Sequence, residues 1–102
     1  MGDAQKLCVA RALVLKPKVL LMDEPTSSLS LQEVTHFEQV LQELRKKVTI
    51  IFTTNHRKQA ARVSDKTAFL LDGELIEIGK TSDIFMNPQD VRTEDYLTGR
   101  FG

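Results

Sequence analysis

Residues 19 to 26 read Val-Leu-Leu-Met-Asp-Glu-Pro-Thr, a short apolar run that leads directly into two adjacent carboxylates and a proline. Such a run is typical of a strand that is buried on both faces of a parallel sheet. Asp23 and Glu24 then lie at its carboxyl end, where open α/β sheets form their ligand crevice. Such a pair can serve nucleotide hydrolysis, because one acid can hold Mg²⁺ through water while the other orients or deprotonates an attacking water. The alternative is a turn with two solvated acids.

The rest of the chain alternates helical and strand patterns. Helices are predicted at about residues 3–15, 31–46, 57–63, 82–86 and 92–98, and strands at about 18–22, 48–53, 67–71 and 74–78. Asp72-Gly73, between the last two strands, is a strong hairpin signal. This order predicts an α/β fold, with a mostly parallel sheet, flanking helices and an antiparallel C-terminal hairpin at the edge of the sheet.

One helix start is marked by its own sequence. Ser30 is followed three residues later by Glu33, which is the spacing of a capping box. The pair precedes apolar positions that recur at helical spacing, namely Leu31, Val34, Phe37, Val40, Leu41 and Leu44. A helix is therefore expected to begin directly after Ser30.

Composition narrows the class of protein without identifying it. The 102 residues suffice for one domain at most, and Lys plus Arg balance Asp plus Glu at 14 each. That balance gives no electrostatic case for nucleic acid or for a membrane surface. No apolar stretch of about 18 residues and no signal peptide are present, which predicts a cytoplasmic chain. The lone Cys8 lies in an apolar helical segment and is expected to be packed.

The stretch at 19–26 resembles the Walker B segment of ATP-binding cassette (ABC) ATPases. Upstream, residues 7–13 read Leu-Cys-Val-Ala-Arg-Ala-Leu and resemble the helix after that family's signature loop. Downstream, Ser27-Ser-Leu-Ser30 stands where the family has its D-loop, and Ile50-Ile-Phe-Thr-Thr54 resembles the strand that leads to its switch histidine. Residues 87–102 are similar to the ending of the ATP-binding subunit of bacterial phosphate importers.

The resemblance implies a P-loop NTPase fold, ATP and Mg²⁺ as cofactors, and ATP hydrolysis coupled to phosphate uptake. It implies metal binding by Asp23, a catalytic role for Glu24, and a switch role at Asn55 or His56. It further implies nucleotide contacts at Gly2, in the signature loop, and at Ser30, in the D-loop. The implied partners are membrane permease subunits and a second ATPase subunit, so that the chain would lie at the inner membrane when assembled.

Three positions depart from the family pattern. Asp3 replaces the glutamine that ends the signature loop, and a carboxylate there favours capping of the following helix over phosphate binding. Ser30 replaces the aspartate that closes the D-loop. The family's switch histidine falls on Asn55, with His56 one residue later, and a shift of one residue at a strand end points a side chain elsewhere.

A further departure is the missing phosphate loop. The five glycines do not form the pattern G-x-x-x-x-G-K-[ST], whose backbone amides and lysine cradle phosphates. In the family this loop lies in the N-terminal half of the domain, so residues 1–102 are expected to be the C-terminal part of an N-terminally truncated domain. The family also places a strand between the strands predicted at 48–53 and 67–71, and that strand is expected to be missing here.

Three functional hypotheses remain open at this stage. The chain is the C-terminal segment of a phosphate-importer ATPase subunit, inactive in isolation and completed by a separate N-terminal half. Alternatively, it is a truncated, non-catalytic paralogue that acts as a binding module. The last hypothesis is a decayed gene product without present activity.

Overall fold

The structure, a computed structural model, describes residues 2–99, with side chains described from residue 6 onward. The Cα positions divide into two compact units, Met1–Asn55 and His56–Gly102. The first unit contains α1 (Gly2–Val14), β1 (Val19–Asp23), α2 (Leu31–Leu44) and β2 (Thr49–Thr53). The second contains α3 (Arg57–Val63), β3 (Lys66–Leu71), β4 (Glu74–Lys80), α4 (Thr81–Met86) and α5 (Val91–Leu97). Each predicted element is present, with its ends within about two residues of the prediction.

In the first unit, β1 and β2 form a parallel pair. The register runs from Val19 opposite Thr49 to Asp23 opposite Thr53. The two strands end together, so the residues that follow them emerge at the same edge of the sheet. This confirms the parallel pairing expected from the sequence.

Only one face of this strand pair is packed against other residues of the first unit. Leu20 is 6% exposed, whereas Leu21, the next residue, is 71% exposed and its register partner Ile51 is 55% exposed. The prediction that β1 is buried on both faces is therefore wrong for this chain. Successive side chains point to opposite faces of a strand, and the described residues of the first unit cover only the face that carries Leu20.

The helix α2 begins as the capping box predicts. The Ser30 hydroxyl accepts a hydrogen bond from the Glu33 amide at 3.2 Å, and the Glu33 carboxylate accepts one from the Ser30 amide at 3.0 Å. Phe37 and Leu41, four residues apart on one helix face, are both buried. The helix α1 differs from its prediction in one respect, because Cys8 is exposed instead of packed.

In the second unit, β3 and β4 form the predicted antiparallel hairpin. Asp72 and Gly73 both have positive φ, at 51° and 77°, as a two-residue turn of type I′ requires. The ladder pairs Lys66 with Lys80 at its open end. Among the described residues of this unit, the buried positions are Gln59, Thr81, Ile84 and Thr93.

The helix α5 is held at both ends by residues distant in sequence. Before its start, the Glu77 carboxylate accepts hydrogen bonds from the amides of Gln89, at 2.8 Å, and Asp90, at 3.1 Å. At its end, the Arg57 guanidinium donates to the carbonyl of Tyr96 at 2.6 Å. These contacts join α5 to β4 and α3.

The strand pairs form two separate sheets, β1–β2 and β3–β4. The α/β class, the parallel pair and the hairpin are all confirmed. The expected single sheet with the hairpin at its edge is not seen, because β2 and β3 are not neighbours in a ladder within the described residues. Among residues 2–99, no helix is long and apolar enough to cross a membrane.

Candidate functional site

The two carboxylates lie where the sequence predicts them. Asp23 is the last residue of β1 and Glu24 follows it, so both stand at the carboxyl end of a parallel strand. Both residues are exposed to solvent. An exposed position leaves both carboxylates in contact with water and accessible to a cation.

A third residue joins this pair. Thr53, the last residue of β2, lies directly opposite Asp23 in the register. Its hydroxyl donates a hydrogen bond to Oδ1 of Asp23 and accepts one from the Glu24 amide at 3.0 Å. The Glu24 amide also donates to the Thr53 carbonyl at 3.1 Å. The Thr53 side chain thus contacts both residues of the acidic pair at the end of β1.

The backbone at Glu24 is in an uncommon conformation. Its φ is 42°, in the left-handed region that residues with a side chain rarely adopt. Such conformations persist only where the surroundings hold them, and they concentrate at functional sites. The Glu24 amide bonds to Thr53, and the Glu24 carbonyl accepts a hydrogen bond from the Ser27 amide at 3.2 Å.

Four further residues were expected in the site. The Ser30 hydroxyl is engaged in capping α2 through the Glu33 amide, so it serves its own helix. Gly2 is the first residue of α1, and the Asp3 side chain, expected to cap that helix, lies outside the described residues. Asn55 and His56 follow β2 and are both exposed. His56 is the N-cap residue of α3, where its side chain makes no capping hydrogen bond.

The site suits magnesium better than it suits a nucleotide. Within residues 6–99, no group of three or more His, Cys, Asp or Glu side chains could hold a metal ion. Mg²⁺ needs less from a protein, because one or two carboxylates suffice when phosphate oxygens and waters complete its octahedron. Asp23 and Glu24 fit that requirement. The phosphate oxygens would need a cradle that the 102 residues do not encode.

Sequence reasoning missed Thr53. The local pattern Ile-Phe-Thr-Thr gives it no distinction from Thr54 beside it. Its role follows from the register of two strands whose ends are 30 residues apart. Aligning the two predicted strands by their carboxyl ends would have placed Thr53 opposite Asp23.

Comparisons with known proteins find similarity to ABC transporter proteins. A family model described as "ABC transporter" matches residues 1–27, which include Asp23 and Glu24. The chain is 54% identical, over 101 residues, to the phosphate import ATP-binding protein PstB 3 of two strains of Streptococcus pneumoniae. The chain is thus similar to ATP-binding proteins of ABC transporters. The match covers 99% of this chain, but the chain spans only 40% of the length of those relatives.

Solved structures of ABC transporter proteins share the fold. One, described as an inward-facing conformation of an ABC transporter, has a TM-score of 0.80 at 28% identity. The match covers 96% of this chain and 38% of the transporter chain. CbiO1 of Clostridium perfringens, part of the ABC transporter complex CbiONQ, has a TM-score of 0.76 at 28% identity. That match covers 97% of this chain and 40% of CbiO1. The partial P-loop NTPase fold of the ABC ATPases is thereby confirmed.

Proposed function

We propose that this chain provides the magnesium- and water-handling residues of the ATPase subunit of a phosphate importer. The observation that carries the proposal is the acidic pair Asp23 and Glu24 at the carboxyl end of a parallel strand, in a chain 54% identical to a phosphate import ATP-binding protein. The reaction would be hydrolysis of ATP coupled to phosphate uptake. Residues 1–102 would then be the C-terminal part of one nucleotide-binding domain that includes both compact units.

The roles follow from the positions of the side chains. Asp23 would hold Mg²⁺ through water, and the Glu24 carboxylate would orient the attacking water and accept its proton. When bound, Mg²⁺ would neutralise charge on the phosphate oxygens. Asn55 or His56 would contact the terminal phosphate, with Asn55 able to donate a hydrogen bond but not to carry charge.

Two positions have weaker support for a nucleotide role. The Ser30 hydroxyl already accepts the Glu33 amide, so a contact with nucleotide would have to use its proton or its second lone pair. Gly2 would offer only its backbone. We propose them as nucleotide contacts on the family resemblance alone.

By itself, the chain is proposed to be inactive. The amides and the lysine of a phosphate loop stabilise the charge of the transferred phosphoryl group, and none of the 102 residues provides such a loop. A separate N-terminal half would have to supply it. Membrane permease subunits and a second ATPase subunit would complete the importer, with the chain peripheral to the membrane.

A second candidate is a non-catalytic binding module. The exposed apolar face of β1 and β2, which carries Leu21 and Ile51, favours it, because apolar faces of this kind mark surfaces that another chain covers. This candidate needs no phosphate loop. It predicts binding to a partner without ATP turnover.

Amide hydrogen exchange tests whether the chain is a half-domain. The chain would be compared alone and with the N-terminal part of PstB 3 from Streptococcus pneumoniae, and protection in β1 and β2 is expected to rise with the partner. The hairpin of β3 and β4, already paired within itself, serves as the internal reference. A compact chain that unfolds cooperatively, with exchange unchanged by that partner, would contradict the proposal.

A further inference from the structure

We propose that Thr53 is a positioning residue, which fixes the orientation of the Asp23 carboxylate and the backbone of Glu24. The inference rests on the proposed function, because it concerns how the site prepares its acidic pair for magnesium and water. Thr53 itself would touch neither. It would act through the two residues that do.

The direction of each hydrogen bond follows from which groups can donate and which can only accept. A backbone amide can only donate, so the Thr53 hydroxyl oxygen must accept from Glu24, at 3.0 Å. An ionised carboxylate can only accept, so the single hydroxyl proton must go to Oδ1 of Asp23. The hydroxyl proton and one of its two acceptor lone pairs are therefore used, and they bond to two adjacent residues.

This arrangement constrains two different degrees of freedom. Asp23 is exposed, and an exposed carboxylate without a fixed partner samples several χ1 rotamers. Glu24 has a φ of 42°, which a residue with a side chain adopts only when its surroundings hold it. A hydroxyl that bonds to both residues restricts the rotamer of the first and the backbone of the second. Such preorganisation is what a catalytic site requires of its supporting residues.

A purely structural explanation of Thr53 makes a different prediction. Threonine is common in strands because its branched side chain fits the pleated surface, and valine would then serve equally well. Thr49 provides the matched comparison. It lies on the same strand and the same face, it is exposed, and its register partner is Val19, away from the carboxylates.

The test uses the full chain and reads the χ1 rotamer of Asp23 from three-bond scalar couplings by NMR. The wild type and Thr53→Ser, which keeps the hydroxyl, are expected to show one rotamer. Thr53→Val, nearly isosteric but without the hydroxyl, is expected to show couplings averaged over several rotamers and a shifted Glu24 amide resonance. Thr49→Val is expected to leave both signals at their wild-type values.

Three results would overturn the proposal. One is an averaged Asp23 rotamer in the wild type, and another is a fixed rotamer in Thr53→Val. The third is a Thr53 hydroxyl proton that exchanges with solvent as fast as that of Thr49 in the wild type, which is measurable even if the valine variant does not fold. These signals involve no nucleotide. Absence of ATP turnover in any reconstituted complex would contradict the proposed function and leave the rotamer result standing.

Discussion

Ser30 and Glu33 cap the start of α2 reciprocally, each side chain accepting a hydrogen bond from the backbone amide of the other, at 3.2 and 3.0 Å. Two amides that have no partner within the helix are thereby satisfied. The family resemblance would align Ser30 with the aspartate that closes the D-loop. Substitutions of Ser30 therefore test both the start of α2 and the alignment of this segment with the D-loop.

Two substitutions at Ser30 should show whether this position tolerates the family's aspartate as long as the helix cap is kept. Ser30→Ala is expected to lower the free energy of unfolding by about 0.5–2 kcal/mol, because the Glu33 amide loses its acceptor. Ser30→Asp should be nearly neutral, since aspartate caps equally well. Urea unfolding gives both values, with Ser28→Ala, at an exposed loop position, as the control. Strong destabilisation by Ser30→Asp would show that the D-loop alignment is wrong.

The second unit should lose stability in acid through Glu77. Hydrogen bonds from the Gln89 and Asp90 amides hold the pKa of Glu77 below its ordinary value of 4.5. A carboxyl group whose pKa is lower in the folded state binds fewer protons there than in the unfolded state. Its stabilisation is therefore complete above pH 4.5 and is lost as the pH falls through the folded-state pKa.

Glu77→Gln should remove that part of the pH dependence. The urea midpoint of the variant is expected to change less than that of the wild type as the pH is lowered from neutrality into the acid range. Glu94→Gln, which neutralises an exposed carboxylate on α5, is the control and should retain the wild-type slope. Equal slopes for Glu77→Gln and the wild type would contradict the assignment.

Two glycines in the hairpin should respond differently to replacement by alanine. Gly73 has a φ of 77°, so Gly73→Ala should cost about 1–2 kcal/mol although nothing crowds the added carbon. Gly79 lies in β4 without a positive φ, and an added Cβ would lie 3.6 Å from Cδ1 of Ile84, an ordinary contact. Gly79→Ala should therefore be neutral or slightly stabilising. Equal destabilisation of both variants in thermal or urea unfolding would contradict the turn assignment.

Arg57 should control the end of α5. Its guanidinium donates to the carbonyls of Tyr96, at 2.6 Å, and Leu97, at 3.3 Å, and lies 5.5 Å from the Tyr96 ring centroid. Arg57→Ala should speed amide exchange at the helix end and lower stability by about 1 kcal/mol. Arg57→Lys should restore only part of this stability, because an ammonium cannot donate to both carbonyls as the planar guanidinium does. Lys58→Ala, at the exposed neighbouring residue, should have no such effect.

Local patterns predicted the elements well, for reasons visible in particular residues. The Ser30–Glu33 spacing and the Asp72-Gly73 turn each encode their geometry within four residues, so the helix start and the hairpin could be read directly. The carboxyl-end placement of Asp23 followed from the apolar run before it. These features depend on short-range chemistry alone.

The features that sequence missed depend on long-range pairing. Thr53 meets Asp23 across 30 positions, and Arg57 meets Tyr96 across 39. The exposure of Leu21 was missed for a different reason, because a run that is apolar at every position looks the same whether one face is covered or both. The prediction of a single sheet was wrong because the sequence pattern of a strand does not specify which strand it pairs with.

ATP turnover by a reconstituted complex tests the central claim most directly. The chain would be mixed with the N-terminal part of PstB 3 from Streptococcus pneumoniae, and hydrolysis measured with and without Mg²⁺. We expect no turnover by either piece alone and magnesium-dependent turnover by the mixture. Glu24→Gln should abolish it, and Glu43→Gln, an exposed glutamate on α2, should retain it. Turnover by the chain alone, or a mixture whose turnover survives Glu24→Gln, would contradict the account.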